Sequence, residues 1–267
     1  MIVTPITYQG GKSRIAKDVA DVINWNGEGC FYDLCCGSGA ISIEQINRGT
    51  PNNQIIMVDA GPFGEFWSKI GCGTYDLSVL KAYIDAIPSE PKHIQPYLLE
   101  LSKQDATVDT AYVFPLLQAG SFGGKAIWSE GIKWRNTSFR SYWLPTETSS
   151  RRSPVNPMMP MPKTLYERIS QTVDKMCGVK AYRRDINELE FSQNKGVIYI
   201  DPPYDSTTGY GHTVDIKKLV EKTALPVFVS EASPLSDNAV QIIGERAKGG
   251  ISGTRKKSHE EWLSKFN

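Results

Sequence analysis

The sequence has few of the residues that build metal sites and disulfide frameworks. Its 267 residues include five cysteines and three histidines, and no two cysteines form a CxxC pair. An odd number of cysteines argues against a disulfide framework, and their spacing does not match that of a zinc site. We therefore expect reduced, mostly buried thiols and no bound metal.

Long apolar runs are also missing. No stretch approaches the run of about 18 apolar residues that a membrane span needs, and the first residues lack the apolar core of a secretory signal. These absences predict a soluble, intracellular protein without a membrane partner. The hydrophobic content of 40% is enough for a core, and the length suits one large α/β domain with or without a smaller insertion.

Basic residues barely outnumber acidic residues over the whole chain, but they clearly outnumber them in one segment. The net charge is only +1, which by itself does not indicate a partner for the protein. Residues 121–163, however, contain seven basic and two acidic residues, many aromatic rings and no clear periodicity. The aromatic residues could form a small core under a lid, but cations in a long non-periodic segment favour contact with nucleic-acid phosphates.

Apolar periodicity predicts a parallel, doubly wound α/β sheet. A helix at 13–25 is followed by a strand at 30–36, a glycine turn, a helix that Gly49 ends, and a strand that ends at Asp59. Strand, turn, helix and strand in this order form a βαβ unit. Further on we predict helices over 74–120, 164–176 and 216–224, strands at 196–200 and 226–232, and a closing antiparallel hairpin in the tail.

Two predicted strands end in motifs that suit a binding site. The first ends in DLCCGSG at 33–39, whose glycines let a ligand approach the backbone at the start of the next helix. Asp59, at the end of the second strand, is placed to accept hydrogen bonds from ribose hydroxyls. Taken alone, this pattern could also be a plain glycine turn with a helix-capping aspartate.

The second motif, DPPY at 201–204, follows the apolar strand GVIYI directly. Its two prolines fix the backbone and remove two N–H donors, so the chain leaves the sheet as a stiff platform. The platform offers a carboxylate, carbonyl oxygens and an aromatic face, which suit a planar amine that donates two hydrogen bonds and stacks. The alternative is a polar turn with a capping aspartate.

In their order along the chain these motifs resemble the Dam-type family of DNA adenine-N6 methyltransferases, which convert S-adenosyl-L-methionine to S-adenosyl-L-homocysteine. The matching motifs are YQGGK at 8–12, DLCCGSG at 33–39, Asp59, the weaker RDI at 184–186, and DPPY at 201–204. The resemblance covers nearly the whole chain and implies a Rossmann-like methyltransferase sheet. It places a catalytic domain at 1–73 and 164–267, and a mainly helical or irregular target-recognition insertion at 74–163.

The resemblance also implies roles for individual residues. For the cofactor it implies Tyr8, Gly11, Lys12, Asp33, Gly37 and Gly39 around the methionine end, Asp59 at the ribose, and Asp185 and Ile186 at the adenine. For the flipped-out target adenine it implies Asp201, Pro202, Pro203 and Tyr204 as the catalytic set. For double-stranded DNA it implies Lys125, Lys133, Arg135, Arg140, Arg151 and Arg152. We also expect a monomer or weak dimer in the cytoplasm of a bacterial or phage-infected host cell.

Other interpretations of the same residues differ in how well they fit. Residues 121–145 lack the asparagine-, glycine- and proline-patterned signature of family members that recognise GATC, and Cys35 stands where the family usually has Phe. GGKS at 10–13 is not a phosphate loop, because Ile6 occupies the place of a required glycine. An RNA or cytosine-N4 amino methyltransferase, or a catalytically silent DNA-binding relative, stays open as an alternative.

Overall fold

The computed structural model describes residues 1–141, 147–148, 160–191, 194–203, 214–247 and 258–267, with the backbone alone for 244–247 and 258–259. Three of the predicted site residues, Tyr204, Arg151 and Arg152, lie outside these ranges.

Seven strands form one mixed sheet in the order β5-β2-β1-β6-β7-β9-β8. Their bounds are β1 Cys30–Leu34, β2 Ile55–Asp59, β5 Lys180–Arg183, β6 Gly196–Ile200, β7 Val227–Glu231, β8 Val240–Ala247 and β9 Ser258–Phe266. Neighbouring strands from β5 to β7 are parallel, whereas β9 is antiparallel to both β7 and β8. A mostly parallel α/β sheet and the antiparallel hairpin of the tail are thus confirmed. The edge strand β5 is an addition that the sequence pattern did not predict.

Helices cover both faces of the sheet. In the described part of the chain they are α1 Ala16–Ile23, α2 Ala40–Asn47, α3 Pro62–Gly71, α4 Leu77–Asp85, α5 Pro91–Leu101, α6 Thr110–Gly120, α7 Pro162–Met176 and α8 Ile216–Glu221. Local signals explain several of their ends. Pro62 opens α3, Pro91 opens α5, and the Asp76 carboxylate accepts a hydrogen bond from the Ser78 backbone N–H at 2.7 Å to cap α4.

The alternation of side chains along the strands divides the core into two clusters. Phe31 and Tyr199 pack on one face with most of the helices, whereas Tyr32 and Ile198 pack on the other face with α8. Successive residues of a strand point to opposite faces, so a residue two positions further along returns to the same face. This rule fixes which polar side chains meet at the ends of the strands.

The helical segment predicted as part of an insertion shares its core with the sheet. Every residue of α6 is buried, as expected of a helix that is apolar all round, and Phe114 packs edge-on against Phe63 of α3 with the ring centroids 4.7 Å apart. Residues from α4 to Phe139 belong to the same buried cluster as Phe31. The domain boundaries at 73 and 164 stay predictions.

The segment predicted as irregular contains a short antiparallel hairpin. Its strands are β3 Trp128–Glu130 and β4 Lys133–Arg135, so the prediction of a wholly aperiodic segment was wrong here. Three-residue strands are too short to give a readable period of two.

Across the described ranges, no helix is long and apolar enough to cross a membrane.

Candidate active site at the carboxyl ends of β1 and β6

The two sequence motifs meet where the direction of winding of the sheet reverses. From β1 the chain winds outward through β2 to β5, then returns to place β6 on the other side of β1. Open α/β sheets bind ligands beyond the carboxyl ends of strands at such a point. The backbone N–H of Asp201 donates to the carbonyl of Leu34 at 3.1 Å, so the ends of β6 and β1 are in direct contact.

Strand register then aligns the polar side chains. Asp33 of β1 is paired with Tyr199 of β6, and Asp201 follows Tyr199 by two residues. Alternation therefore sends these three side chains to the same face of the sheet. The Tyr199 hydroxyl is fully buried and shares a hydrogen bond of 2.9 Å with the Ser230 hydroxyl of β7.

Asp33 fixes the start of α2. Its Oδ2 accepts from the backbone N–H of Ser42 at 3.1 Å and from the Ser42 hydroxyl at 2.6 Å. Burial raises the pKa of this carboxyl to about 7 against the lowering effect of the Ser42 hydrogen bonds, and Asp201 and Asp59 add to the rise. The side chain that was predicted to frame the cofactor thus also orients the helix behind it.

The glycines of the first motif are required by their backbone and by their neighbours. Gly37 has φ +49° and Gly39 has φ +71°, both in the left-handed region. A Cβ at Gly37 would lie 2.3 Å from the Tyr8 hydroxyl, and one at Gly39 would lie 2.6 Å from the Trp67 ring. The Trp67 indole N–H also donates to the Gly37 carbonyl at 2.8 Å. Tyr8 therefore lies directly over the turn.

Asp59 holds the turn from the neighbouring strand. Its Oδ2 accepts from the Gly37 backbone N–H at 3.0 Å, and its Oδ1 accepts from the Gly61 N–H at 2.8 Å. The Arg184 N–H donates to the Asp59 carbonyl at 3.1 Å, which brings Asp185 to the same edge of the sheet. A ribose bound here would hydrogen-bond to the same Asp59 carboxylate that already accepts from the backbone N–H groups of Gly37 and Gly61.

The predicted adenine-binding residues follow β5 directly. Asp185 Oδ1 accepts from the Asn187 backbone N–H and side-chain amide, both at 2.9 Å, and so begins a 3₁₀ turn at Ile186–Glu188. Ile186 is buried in the cluster on the α8 face. Asp185 is half-buried, and so remains reachable at the edge of the site.

The main ionic feature of the site is a buried lysine between two carboxylates. Lys12 Nζ lies 2.7 Å from Asp201 Oδ1 and 3.4 Å from Glu261 Oε1, and it donates to the Gly10 carbonyl at 3.3 Å. The side chains of Lys12, Asp201 and Glu261 are 8%, 11% and 2% exposed. The resemblance assigned Lys12 to the cofactor, and the structure pairs it with Asp201, the carboxylate predicted to bind the target base.

The pKa values of Asp201 and Lys12 are both raised, but for different reasons. Burial raises the pKa of Asp201 to about 6; Lys12 opposes the rise, and Glu261 and Glu231 add to it. Burial lowers the pKa of Lys12, but Asp201 and Glu261 together outweigh burial, so the pKa is raised overall. At neutral pH the Lys12 amine is therefore protonated, and it lies between the side chains of Asp201 and Glu261.

The remaining space between these groups is small. A cavity of about 10 Å³ is lined by Tyr8, Lys12, Asp33, Cys36, Ser38, Ala40, Ile41, Tyr199 and Asp201. A cavity of about this size holds one water at most.

The platform of the second motif is described as far as Pro203. Pro202 is buried and Pro203 is half-buried, as expected where a chain leaves the sheet under the constraint of two prolines. Gly11 is exposed, and its N–H donates to the Tyr8 carbonyl at 3.1 Å, so it shapes the turn that carries Tyr8 and Lys12.

The basic segment contacts the first motif of the chain. The Gln9 N–H donates to the Gly124 carbonyl at 2.6 Å, and the Gln118 amide donates to the carbonyls of Gly124 and Lys125. The hairpin that follows is joined to β5 by a hydrogen bond of 2.8 Å from Arg183 to the Ser129 hydroxyl. The predicted recognition segment thus begins at the rim of the site.

The predicted DNA-binding residues fall into two groups. Lys125, Lys133 and Arg135 are exposed, and Arg135 forms an ion pair of 2.6 Å with Glu130 across the hairpin. Arg140 is buried, and its Nε and Nη1 have no hydrogen-bond partner within the described residues. Burial also lowers the pKa of Arg140. Its position is thus that of an interior side chain rather than of an exposed phosphate contact.

Sequence reasoning missed Glu261, the second carboxylate. Asp33 and Asp201 stand at the ends of parallel strands, where a ligand site is expected. Glu261 lies in the first half of β9, and only the reversed direction of this strand brings that half to the same edge. The signal in the sequence was weak, because Glu261 is one of several polar residues in the tail strand SHEEWLSKF.

Comparisons with known proteins return no relative. No protein-family profile matches the chain, and no curated protein matches it.

Among the described residues, no group of three or more His, Cys, Asp or Glu side chains could hold a metal ion.

Proposed function

We propose that the protein transfers a methyl group from S-adenosylmethionine to N6 of a flipped-out adenine in DNA. The observation that carries the proposal is Asp201, a buried carboxylate that follows β6 beside the glycine turn and binds an amine, that of Lys12, at 2.7 Å. A site that binds one protonated amine has the charge and acceptors that a methylated amine requires.

The residues of the glycine turn fit the cofactor. Gly37 and Gly39 give a tight turn at the start of α2, packed beneath Tyr8 and Trp67, and Asp59 and Asp185 supply carboxylates at the next strands. Carboxylates suit ribose hydroxyls and an adenine amine because each oxygen accepts more than one hydrogen bond. The bound cofactor would supply a methyl group on a positively charged sulfonium.

The chain's own groups would then act on the target nitrogen. Asp201 and the Pro202 carbonyl would accept the two N6 hydrogens, which localises the lone pair on nitrogen. With the methyl donor bound, an N–C bond would form as the sulfonium S–C bond breaks, and one N6 proton would pass to Asp201 or to water. Positive charge grows on N6 during this step, and the nearby carboxylate stabilises that charge more than it stabilises the ground state.

The exposed cations of the hairpin support DNA as the substrate. Lys125, Lys133 and Arg135 stand on a segment that contacts Gln9, which lies between Tyr8 and the Lys12 cluster. Adenine N6 lies inside the duplex, so the base must be extruded at a cost of a few kcal/mol. Contacts between these cations and phosphates would help to offset that cost.

The test is methyl transfer by the wild-type protein and by Asp201→Asn. Radiolabelled S-adenosylmethionine and mixed-sequence DNA should yield N6-methyladenosine after digestion to nucleosides. Asp201→Asn keeps the size of the side chain and removes the charge, so transfer should fall by about 100-fold or more, while cofactor affinity stays near that of the wild type.

Two outcomes would contradict the proposal. Equal rates for wild type and Asp201→Asn would remove Asp201 from catalysis. N4-methylcytidine, or a product formed on RNA alone, would leave an amino methyltransferase but would change its substrate. Asp18→Asn, on the exposed face of α1, is the matched control.

A further inference from the structure

The Lys12 ammonium is bound to the Asp201 carboxylate, which the proposed reaction needs for the target amine. This inference rests on the proposed function, in which Asp201 accepts a hydrogen of the target amine. Here Asp201 Oδ1 is bound to the Lys12 ammonium at 2.7 Å, and the adjoining cavity is only about 10 Å³. An adenine amine that is to bind Oδ1 of Asp201 has to displace the ammonium from that oxygen.

A buried ammonium cannot leave one carboxylate without reaching another. Removing the partner of a buried charge is strongly destabilising because the charge stays desolvated. Lys12 and Glu261 are both almost completely buried, and their charged atoms are 3.4 Å apart. A rotation of the flexible lysine side chain is therefore enough to shorten this contact while it lengthens the contact with Asp201.

We propose that Glu261 is a positioning residue that takes over the Lys12 ammonium when the target amine binds Asp201. In the resting site Lys12 neutralises Asp201 and fills the place of the amine. In the occupied site Lys12 pairs with Glu261, and Asp201 is released to act on the base. Asp201 thereby exchanges the Lys12 amine for the target amine, and the Lys12 ammonium stays paired with a buried carboxylate throughout.

The surroundings of Asp201 support this exchange. Among the described residues, the positive group that faces it is Lys12 from the N-terminal turn, and the negative groups are Glu261 of β9, Glu231 of β7 and Asp33 of β1. Repulsion between Asp201 and Glu261 has to be relieved by a cation, which favours Lys12 in either position. Asp33 is turned toward Ser42 and is already hydrogen-bonded to it, so Glu261 is the better acceptor for Lys12.

The test is a double-mutant cycle of Lys12→Met and Glu261→Gln, measured as single-turnover methyl transfer. Glu261→Gln removes the second carboxylate, so Lys12 stays on Asp201 and the rate should fall by about tenfold or more. In the Lys12→Met background no ammonium has to move, so Glu261→Gln should no longer slow the reaction. Glu261→Asp keeps the charge and should restore part of the rate.

A purely structural role for Glu261 predicts different results. It would reduce the rate by the same factor in both backgrounds, and that outcome overturns the inference, as does a wild-type rate for Glu261→Gln. The acidic limb of the pH–rate profile gives a second readout: loss of the Glu261 charge should lower the pKa of Asp201 and move the limb to lower pH. An unmoved limb would contradict the inference.

Controls separate this inference from the proposed function. Glu260→Gln changes the neighbouring residue of β9, whose carboxylate accepts from the Trp262 indole at 2.9 Å, and should leave the profile in place. If the wild-type protein transfers no methyl group to nucleic acid, the proposed function fails. If the wild type is active and the double-mutant cycle shows no coupling, the inference about Glu261 fails alone.

Discussion

Single residues in this site are constrained by burial as much as by chemistry. Asp33 is fully buried, and both of its hydrogen bonds to Ser42 end on the same oxygen. An asparagine could place its carbonyl oxygen there and keep both bonds. The negative charge of Asp33 is thus separable from its role at the start of α2.

That separation leads to a prediction about stability and pH. In the folded protein the pKa of Asp33 is raised from 3.8 to about 7, so the folded state holds this proton more tightly than the unfolded chain does. Its contribution to stability is therefore fully present below about pH 4 and is lost as the pH rises through about 7. Asp33→Asn should become progressively more stable than the wild type over this range.

Thermal unfolding midpoints of both proteins at a series of pH values would measure the effect. The difference between the midpoints reports the titration of Asp33 together with its coupling to Asp201, which titrates in both proteins. The exposed Asp18→Asn serves as the control and should show no such trend. A constant difference between wild type and Asp33→Asn across this range would contradict the assigned pKa shift.

At the scale of elements, the β3–β4 hairpin links the candidate recognition segment to the site. Trp134 is buried and stacks parallel to Phe114 of α6 with the ring centroids 6.3 Å apart, which anchors the hairpin to the core. Lys133 and Arg135 stand on either side of Trp134 in β4, so their side chains point to the opposite face of the hairpin, into solvent. The hairpin thus presents cations from a fixed base, which suits contact with a rigid duplex.

We predict that Lys133→Ala weakens DNA binding and reduces its salt dependence. Each phosphate contact contributes about 0.9 to the slope of log K against log salt, so one lost contact should flatten the slope by about that amount. Affinity measured at several salt concentrations tests this. Lys103→Ala, 68% exposed at the end of α5 and paired with Glu100, is the control and should leave the slope unchanged. An unchanged slope for Lys133→Ala would argue that the hairpin is a lid.

At the scale of the whole molecule, ligand binding should stabilise the fold. The glycine turn, Asp59 and the start of α2 come from different elements that are joined by the sheet, so a bound cofactor analogue ties them together. A ligand that binds only the folded state adds about 2.7 kcal/mol at 100 times its Kd. S-adenosylhomocysteine should therefore raise the unfolding midpoint of the wild-type protein.

Gly37→Ala should lose most of this thermal shift. The added Cβ would lie 2.3 Å from the Tyr8 hydroxyl, so the Tyr8 ring is pushed out of its place over the turn. Gly131→Ala is the matched control, because its φ of +55° is close to the +49° of Gly37 but nothing lies within 4 Å of its Cβ. Equal thermal shifts in the two variants would show that the close packing at Gly37 has no part in cofactor binding.

The sequence predicted the strands and helices around the site but not all contacts between them. Apolar runs such as GVIYI are long enough to show their period, and this is why β1, β2, β6 and β7 were found. The short strands of the hairpin and the polar edge strand β5 carry too few apolar residues to be recognised. Arg140 was grouped with exposed cations because sequence alone does not tell which residues of an aperiodic segment face the core.

The sequence by itself determined that a glycine turn and a proline-locked carboxylate both follow buried strands, because strand periodicity and proline stereochemistry are local properties. Only the tertiary structure decided that these strands are neighbours, that Lys12 pairs with Asp201, and that the reversed strand β9 brings Glu261 to the same ammonium. Those contacts join residues far apart in the chain, so they depend on the order and direction of the strands, which no local pattern encodes.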